Sequence, residues 1–144
     1  MLDVAKTKGH GSLMLGDACS LPVASGSFDA VSVGWGIRNV PDIDRAHQEA
    51  FRVLKSGGRF VSLDMARPKS RLIGKLSETA FHVAVPVLGR LFGKKEAYTY
   101  LPKSTHRFMT REQLAESMRQ AGFKDVAWKD MMMGNVCAIW GTKP

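Results

Sequence analysis

Arg38 and Asn39 are the residues of this sequence best placed to do chemistry. They follow a strand-like apolar run, FDAVSV (28–33), inside the segment GWGIRNVPD (34–42), which Pro41 helps to close. A guanidinium and a carboxamide side by side at a strand tip can hold an oxygen on which negative charge develops. Arginine stays protonated in proteins, so it suits an anion holder better than a base. The pair would equally serve as a loop salt bridge and a cap for the next helix. Gly34 and Gly36, either side of Trp35, permit close approach of a ligand to the backbone, or a simple turn. Asp17, in GDA (16–18), can accept hydrogen bonds from an exocyclic amine such as adenine's, or cap the next turn. The triple Met131-Met132-Met133 is adaptable core or the lining of an apolar pocket.

Other chemistries lack their residues. His47, His82 and His106 are scattered without metal-ligand spacing and read as structural or exposed, so no metal is expected. Cys19 and Cys137 form no CxxC pair, which points to a reduced, cytoplasmic setting. There is no Gly-x-Ser-x-Gly elbow and no phosphate-cradling glycine loop with its lysine.

The elements that must position these residues alternate. MLDVAKTK (1–8) reads as a helix tail, broken at Gly9-His10-Gly11. SLMLGD (12–17) reads as a short buried strand and FDAVSVGW (28–35) as another. DIDRAHQEAFRVLK (42–55) is helical, with Ala46, Ala50 and Leu54 on one face, Asp42 or Asp44 at its start and Ser56-Gly57-Gly58 as its stop. RFVSLDM (59–65) is a third strand. The region 68–104 reads as one or two helices broken at Pro86 and Gly89. Thr110 and Gln113 match a capping box opening a helix that Gly122 ends. FKDVAWKDM (123–131) and NVCAIWGTK (135–143) make a closing antiparallel pair. Strands alternating with helices predict an α/β fold with a mostly parallel sheet. In such sheets ligands bind beyond the carboxyl ends of the strands, which here carry Asp17, Arg38-Asn39 and Asp64-Met65-Ala66-Arg67.

The 144 residues are one domain's worth, 44% hydrophobic and 24% charged, with no apolar run long enough to span a bilayer and no leader pattern at Met1. The net charge of +8 is concentrated: residues 67–103 hold eight Lys and Arg against Glu78 and Glu96. With its apolar centre AFHVAVPVLGRLF (80–92), this stretch suits an anionic membrane surface better than a nucleic acid, for which no motif is present.

Taken together, GDACSLPVASGSFDAVSVGWGIRNVPDIDRAHQEAFRVLKSGGRFVSLDMARP (16–68) resembles the S-adenosylmethionine-dependent C-methyltransferases of menaquinone and ubiquinone biosynthesis. The pattern is Gly-Asp-Ala, Leu-Pro, Ser-Phe-Asp, Gly-Ile-Arg-Asn-Val, Arg-Val-Leu-Lys-x-Gly-Gly-Arg, then an acidic residue and Arg-Pro. Ser56 stands where the family usually has Pro. The likeness continues through FHVAVPVLGRLF, YTYLPKS and LAESMRQAGF.

The resemblance implies a Rossmann-like class I methyltransferase fold over 1–144 as a single partial domain, with 68–104 a helical substrate-covering insertion. It implies methyl transfer to a ring carbon of a demethylmenaquinol-type prenylated quinol. Arg38 and Asn39 would be catalytic; Asp17, Ala18, Gly34, Trp35 and Gly36 would bind S-adenosylmethionine; Phe81, His82, Val85 and Tyr100 would cover the substrate. The family's sheet order is 3-2-1-4-5-7-6, and its first two strands, with the glycine loop for the cofactor's methionine part, have no counterpart in these residues. The expectations are therefore weak or no cofactor binding by these residues alone, a sheet of order 4-5-7-6, and strand 28–34 left as an apolar edge. Such an edge invites a homodimer or swapped oligomer through 28–34 or 12–16. The alternative function is an inactive, truncated chain that self-associates or acts as an interaction module. The expected location is the cytoplasm, at the inner face of the membrane.

Overall fold

A computed structural model of the chain describes residues 12–66 and 109–144, together with Thr7. The basic stretch 67–103, the insertion 68–104 and the expected substrate residues Phe81, His82, Val85 and Tyr100 lie outside the described residues, as does nearly all of the helix tail 1–8.

Strand β1 (Phe28–Gly34) leads through a short 3₁₀ turn (Ile37–Asn39) to helix α1 (Ile43–Val53) and strand β2 (Leu54–Met65). Helix α2 (Arg111–Gln120), strand β3 (Lys124–Met131) and strand β4 (Val136–Thr142) follow. The sheet order is β1-β2-β4-β3. β1 and β2 run parallel, and β4 is antiparallel to both its neighbours. Three of the four strands thus point one way, with β4 reversed between β2 and β3. This is the arrangement expected for 4-5-7-6, and β1 stands at the edge among the described residues.

Local signals explain the helices. Asp42 caps α1, its carboxylate accepting from the Arg45 N–H at 2.9 Å. Thr110 and Gln113 form the capping box of α2 reciprocally, at 3.2 and 2.9 Å. α2 ends in a Schellman motif: the Gly122 N–H donates to the Arg119 carbonyl and the Phe123 N–H to that of Met118. Gly122 sits at φ +107, where an added Cβ would come within 2.9 Å of the Phe51 ring. α1 ends earlier than expected. Leu54 and Lys55 already belong to β2, and Ser56-Gly57-Gly58 forms an irregularity in that strand rather than the helix stop. Lys143 closes the helix instead, its ammonium donating to the carbonyls of Phe51 and Leu54 at 2.8 and 2.7 Å.

Both helices cover one face of the sheet. Ala46 and Ala50 of α1 and Leu114, Ala115 and Met118 of α2 meet Phe60 and Ile139 in one core, with Phe123 at its floor. The strand period of two puts Phe60, Ser62 and Asp64 on this buried face and leaves Val61 and Leu63 half-buried on the other.

One expected element is absent. SLMLGD (12–17) is not a strand: it lies exposed outside the sheet, with Met14 at 63% and Leu15 at 81%. A strand exists only where a neighbour supplies a ladder. Here the sole pairing of the segment is the local bridge Asp17–Ser20.

Candidate functional site

The carboxyl ends of β1 and β2 lie side by side, Gly34 opposite Leu63. The Trp35 N–H still donates to the Leu63 carbonyl at 2.8 Å, and the chain then turns sharply with Trp35 at φ 58. A non-glycine residue in this region carries local strain; an added Cβ would meet nothing within 4 Å at Gly34 but would come within 3.2 Å of Val33 at Gly36. The 3₁₀ turn follows, anchored by buried Ile37 and closed by hydrogen bonds from Asn39 and Val40 to Gly36 and Ile37.

This turn presents Arg38 to Asp64, one residue past the β1–β2 pairing. The guanidinium pairs with the Asp64 carboxylate, and the two side chains are only 7% and 3% exposed. The Arg38 backbone N–H donates to the second carboxylate oxygen at 3.3 Å, and the Met65 N–H donates to the first at 2.7 Å. Arg38 Nε is buried and has no partner among the described residues. The salt-bridge alternative for Arg38 is therefore realised, whereas the helix cap is Asp42 and not Asn39. Asn39 is exposed on the same turn.

The Asp17 side of the site is a tight turn. Asp17 accepts from the Cys19 N–H at 2.9 Å, and the Ser20 N–H returns to the Asp17 carbonyl at 3.0 Å. Asp17 thus caps its own turn and remains exposed, as does Ala18. Arg45 Nε donates to the Cys19 carbonyl at 3.2 Å, and Cys19 Sγ lies 3.4 Å from the Asp42 carbonyl. These contacts seat the Asp17-Ala18 turn against the start of α1, where the GWGIRNVPD segment ends. The structure so groups Gly34, Trp35, Gly36, Arg38 and Asn39 at and just beyond the tip of β1, and seats the exposed Asp17-Ala18 turn at the start of α1.

Two positioning features escape a local reading of the sequence. The first is Asp64 as the partner of Arg38, 26 residues away. The second is Glu49, 4% exposed on α1. Its carboxylate takes two hydrogen bonds from Arg52, both 2.9 Å, and one from the Leu21 N–H at 2.8 Å. Arg52 in turn donates to the carbonyls of Leu21 and Val23. The hydrogen bonds from Arg52 hold Glu49 down at about 2, against the opposing effect of burial and with help from Leu21 and the charge of Arg45. The i,i+3 spacing of Glu49 and Arg52 hints at the pair; its grip on loop 21–25 is visible only in three dimensions. Behind this loop lies an apolar groove of about 360 Å³ between Met14, Leu21, Val23, Phe28, Val31 and Val53.

His47 settles as a structural residue. Its ring is fully buried, edge-on to Phe60 at 5.5 Å, with Nδ1 2.8 Å from Ser117 Oγ. The Ser117 hydroxyl donates to Asp44, so its oxygen must accept from His47, which fixes the neutral Nδ1–H tautomer. Burial pushes His47 down to about 4, and Asp44 only partly opposes this. The methionine run is divided: Met131 is half-buried and Met132 is 73% exposed.

The model of the ubiE/COQ5 methyltransferase family matches residues 3–143. The demethylmenaquinone methyltransferase of Desulfitobacterium hafniense is 39% identical over 133 residues, 92% of this chain and 53% of that protein. The ubiquinone/menaquinone biosynthesis C-methyltransferase UbiE of Desulfotalea psychrophila is 40% identical over 147 residues, 99% of this chain and 60% of that protein. The chain thus spans less than two thirds of the length of these relatives. Among solved structures, an S-adenosylmethionine-dependent methyltransferase of Thermotoga maritima, described as a possible histamine N-methyltransferase, superposes with a TM-score of 0.68 at 28% identity, covering 100% of this chain and 69% of that one. The phosphoethanolamine N-methyltransferase 2 of Haemonchus contortus in complex with S-adenosyl-L-methionine shares the fold with a TM-score of 0.59 at 16% identity, over 89% of this chain and 36% of that one. The fold is the Rossmann-like one of the class I methyltransferases, and by the match over nearly its whole length the chain belongs to the ubiE/COQ5 methyltransferase family.

Proposed function

We propose that these residues form the methyl-acceptor side of an S-adenosylmethionine-dependent C-methyltransferase acting on a demethylmenaquinol-type prenylated quinol. The observation that carries the reading is the buried guanidinium of Arg38 at the tips of two parallel strands, with an Nε–H that lacks an acceptor among the described residues. A quinolate oxygen is such an acceptor.

The residues of these two turns fit the adenine end of S-adenosylmethionine. Asp17 offers an exposed carboxylate, Trp35 is 49% exposed, and an added Cβ on Gly34 would meet nothing within 4 Å. When bound, the cofactor supplies an electrophilic methyl group. Arg38 then steadies the acceptor oxygen as the quinol hydroxyl gives its proton to water. That charge makes the neighbouring ring carbon nucleophilic; after methylation the ring loses its own proton and regains aromaticity. Asn39, on the same turn, orients the oxygen or the cofactor. The basic stretch 67–103 would keep the site near an anionic membrane, where a prenylated acceptor resides.

The test is product analysis. With millimolar S-adenosylmethionine carrying a deuterated methyl group and a short-tailed demethylmenaquinol, mass spectrometry should find the label on a ring carbon. Label on oxygen alone would sink the reading.

A second reading, self-association as an interaction module, is favoured by the outer edge of β1. Among the described residues that edge has no strand beside it, and Phe28, 43% exposed, lines an apolar groove together with exposed Met14.

A further inference from the structure

We infer that Asp64 is the positioning residue of the site: it clamps Arg38 at both side chain and backbone, and so fixes the Nε–H as the donor shown to the acceptor oxygen. The inference rests on the reading of Arg38 given under the proposed function. Three features carry it. Asp64 takes the Arg38 guanidinium on one carboxylate oxygen and the Arg38 backbone N–H on the other, so one side chain sets both the turn and the arm that leaves it. The Met65 N–H holds the carboxylate in turn, tying the clamp to the end of β2.

Second, this arrangement is poorly explained by stability. A buried ion pair can often be replaced by apolar residues at no loss. A buried donor left without an acceptor costs about 1–3 kcal/mol. Trp35, three residues earlier, adds a left-handed backbone conformation. Unfavourable features grouped within four residues of a strand tip mark a place held for binding.

Third, both oxygens of the carboxylate already accept hydrogen bonds. Three N–H groups share its two oxygens. Asp64 is thereby committed to holding Arg38 and is not itself directed at a substrate proton. The site divides its labour: Asp64 places, Arg38 contacts.

The experiment follows Arg38 Nε–H directly, by proton–nitrogen correlation spectra of the whole chain labelled at arginine. In the wild type this proton should exchange slowly. Asp64→Asn should speed its exchange by about tenfold or more, while the Nε–H signals of Arg52 and Arg111, held by other carboxylates, stay in place. Titration with 1-naphthol above its ionisation pH should move the Arg38 signal in the wild type, and should need about tenfold more probe in the variant. Unchanged exchange in Asp64→Asn overturns the inference, as does fast exchange in the wild type. Slow exchange that is lost in the variant, with no response to naphtholate, supports the clamp and counts against the quinol reading. Should Asp64→Asn unfold, Asp64→Glu decides. It keeps the charge but adds a methylene, and should displace the Arg38 signal and speed its exchange; an unmoved signal refutes the clamp.

Discussion

Replacing Glu49 by Gln tests how the loop beside the site is held. Glu49 is nearly buried, receives Arg52 through two hydrogen bonds, and fixes the Leu21 N–H. A carboxyl held at about 2 instead of 4.5 corresponds to roughly 3 kcal/mol of folding stability at full strength. The Arg52 side chain is 33% exposed, so solvent screening brings the expected loss in Glu49→Gln to about 1–2 kcal/mol at pH 7. The sign follows from linkage: a depressed carboxyl stabilises the fold above its unfolded value and loses that contribution as pH falls from 4.5 towards about 2. Urea titrations of wild type and variant should therefore differ at pH 7 and converge near pH 2. Hydrogen exchange at the Leu21 amide should accelerate in the variant at neutral pH. An equal difference in stability at pH 7 and pH 2 would refute the argument, because it would assign the loss to packing and not to charge.

The remaining predictions are briefer. His47→Gln should flatten the decline in stability that the wild type shows as pH falls from 6.5 to about 4, where the unfolded chain takes up a proton that the buried ring refuses; the decline is worth at most about 3 kcal/mol, and an identical pH profile in the variant contradicts it. Gly122→Ala should lower stability by about 1–3 kcal/mol in denaturant titration, since the new Cβ meets Phe51, itself wedged at 90° against Phe123; a loss below about 0.5 kcal/mol would show that the ring gives way. Ser32→Lys, a charge on the edge strand, should shift sedimenting oligomers of the chain towards monomer; a wild type that is monomeric at all concentrations contradicts self-association through β1.

What could be read from the sequence was what depends on neighbours along the chain. Thr110 with Gln113, Asp42 ahead of α1, and Gly122 at a left-handed position all act within one helical turn. The resemblance then gave the strand order, which local pattern alone does not contain. Two failures have one physical cause. Leu13-Met14-Leu15 has strand composition, yet a strand needs a ladder, and the described residues offer none. Asp64 looks like an ordinary polar strand end until the fold brings Arg38 to it. The ending of α1 failed for a different reason: the stop comes from Lys143, nearly ninety residues on, bonding the carbonyl of Leu54.

The most direct test of the account is the single-turnover rate of methyl transfer to a short-tailed demethylmenaquinol at millimolar S-adenosylmethionine, wild type against Arg38→Ala. If Arg38 steadies the acceptor oxygen, the rate should fall by about 10²–10³-fold, with Arg38→Lys recovering little of it because a point charge does not reproduce the guanidinium fork. A rate in Arg38→Ala within about threefold of the wild type, with the fold intact, would contradict the account.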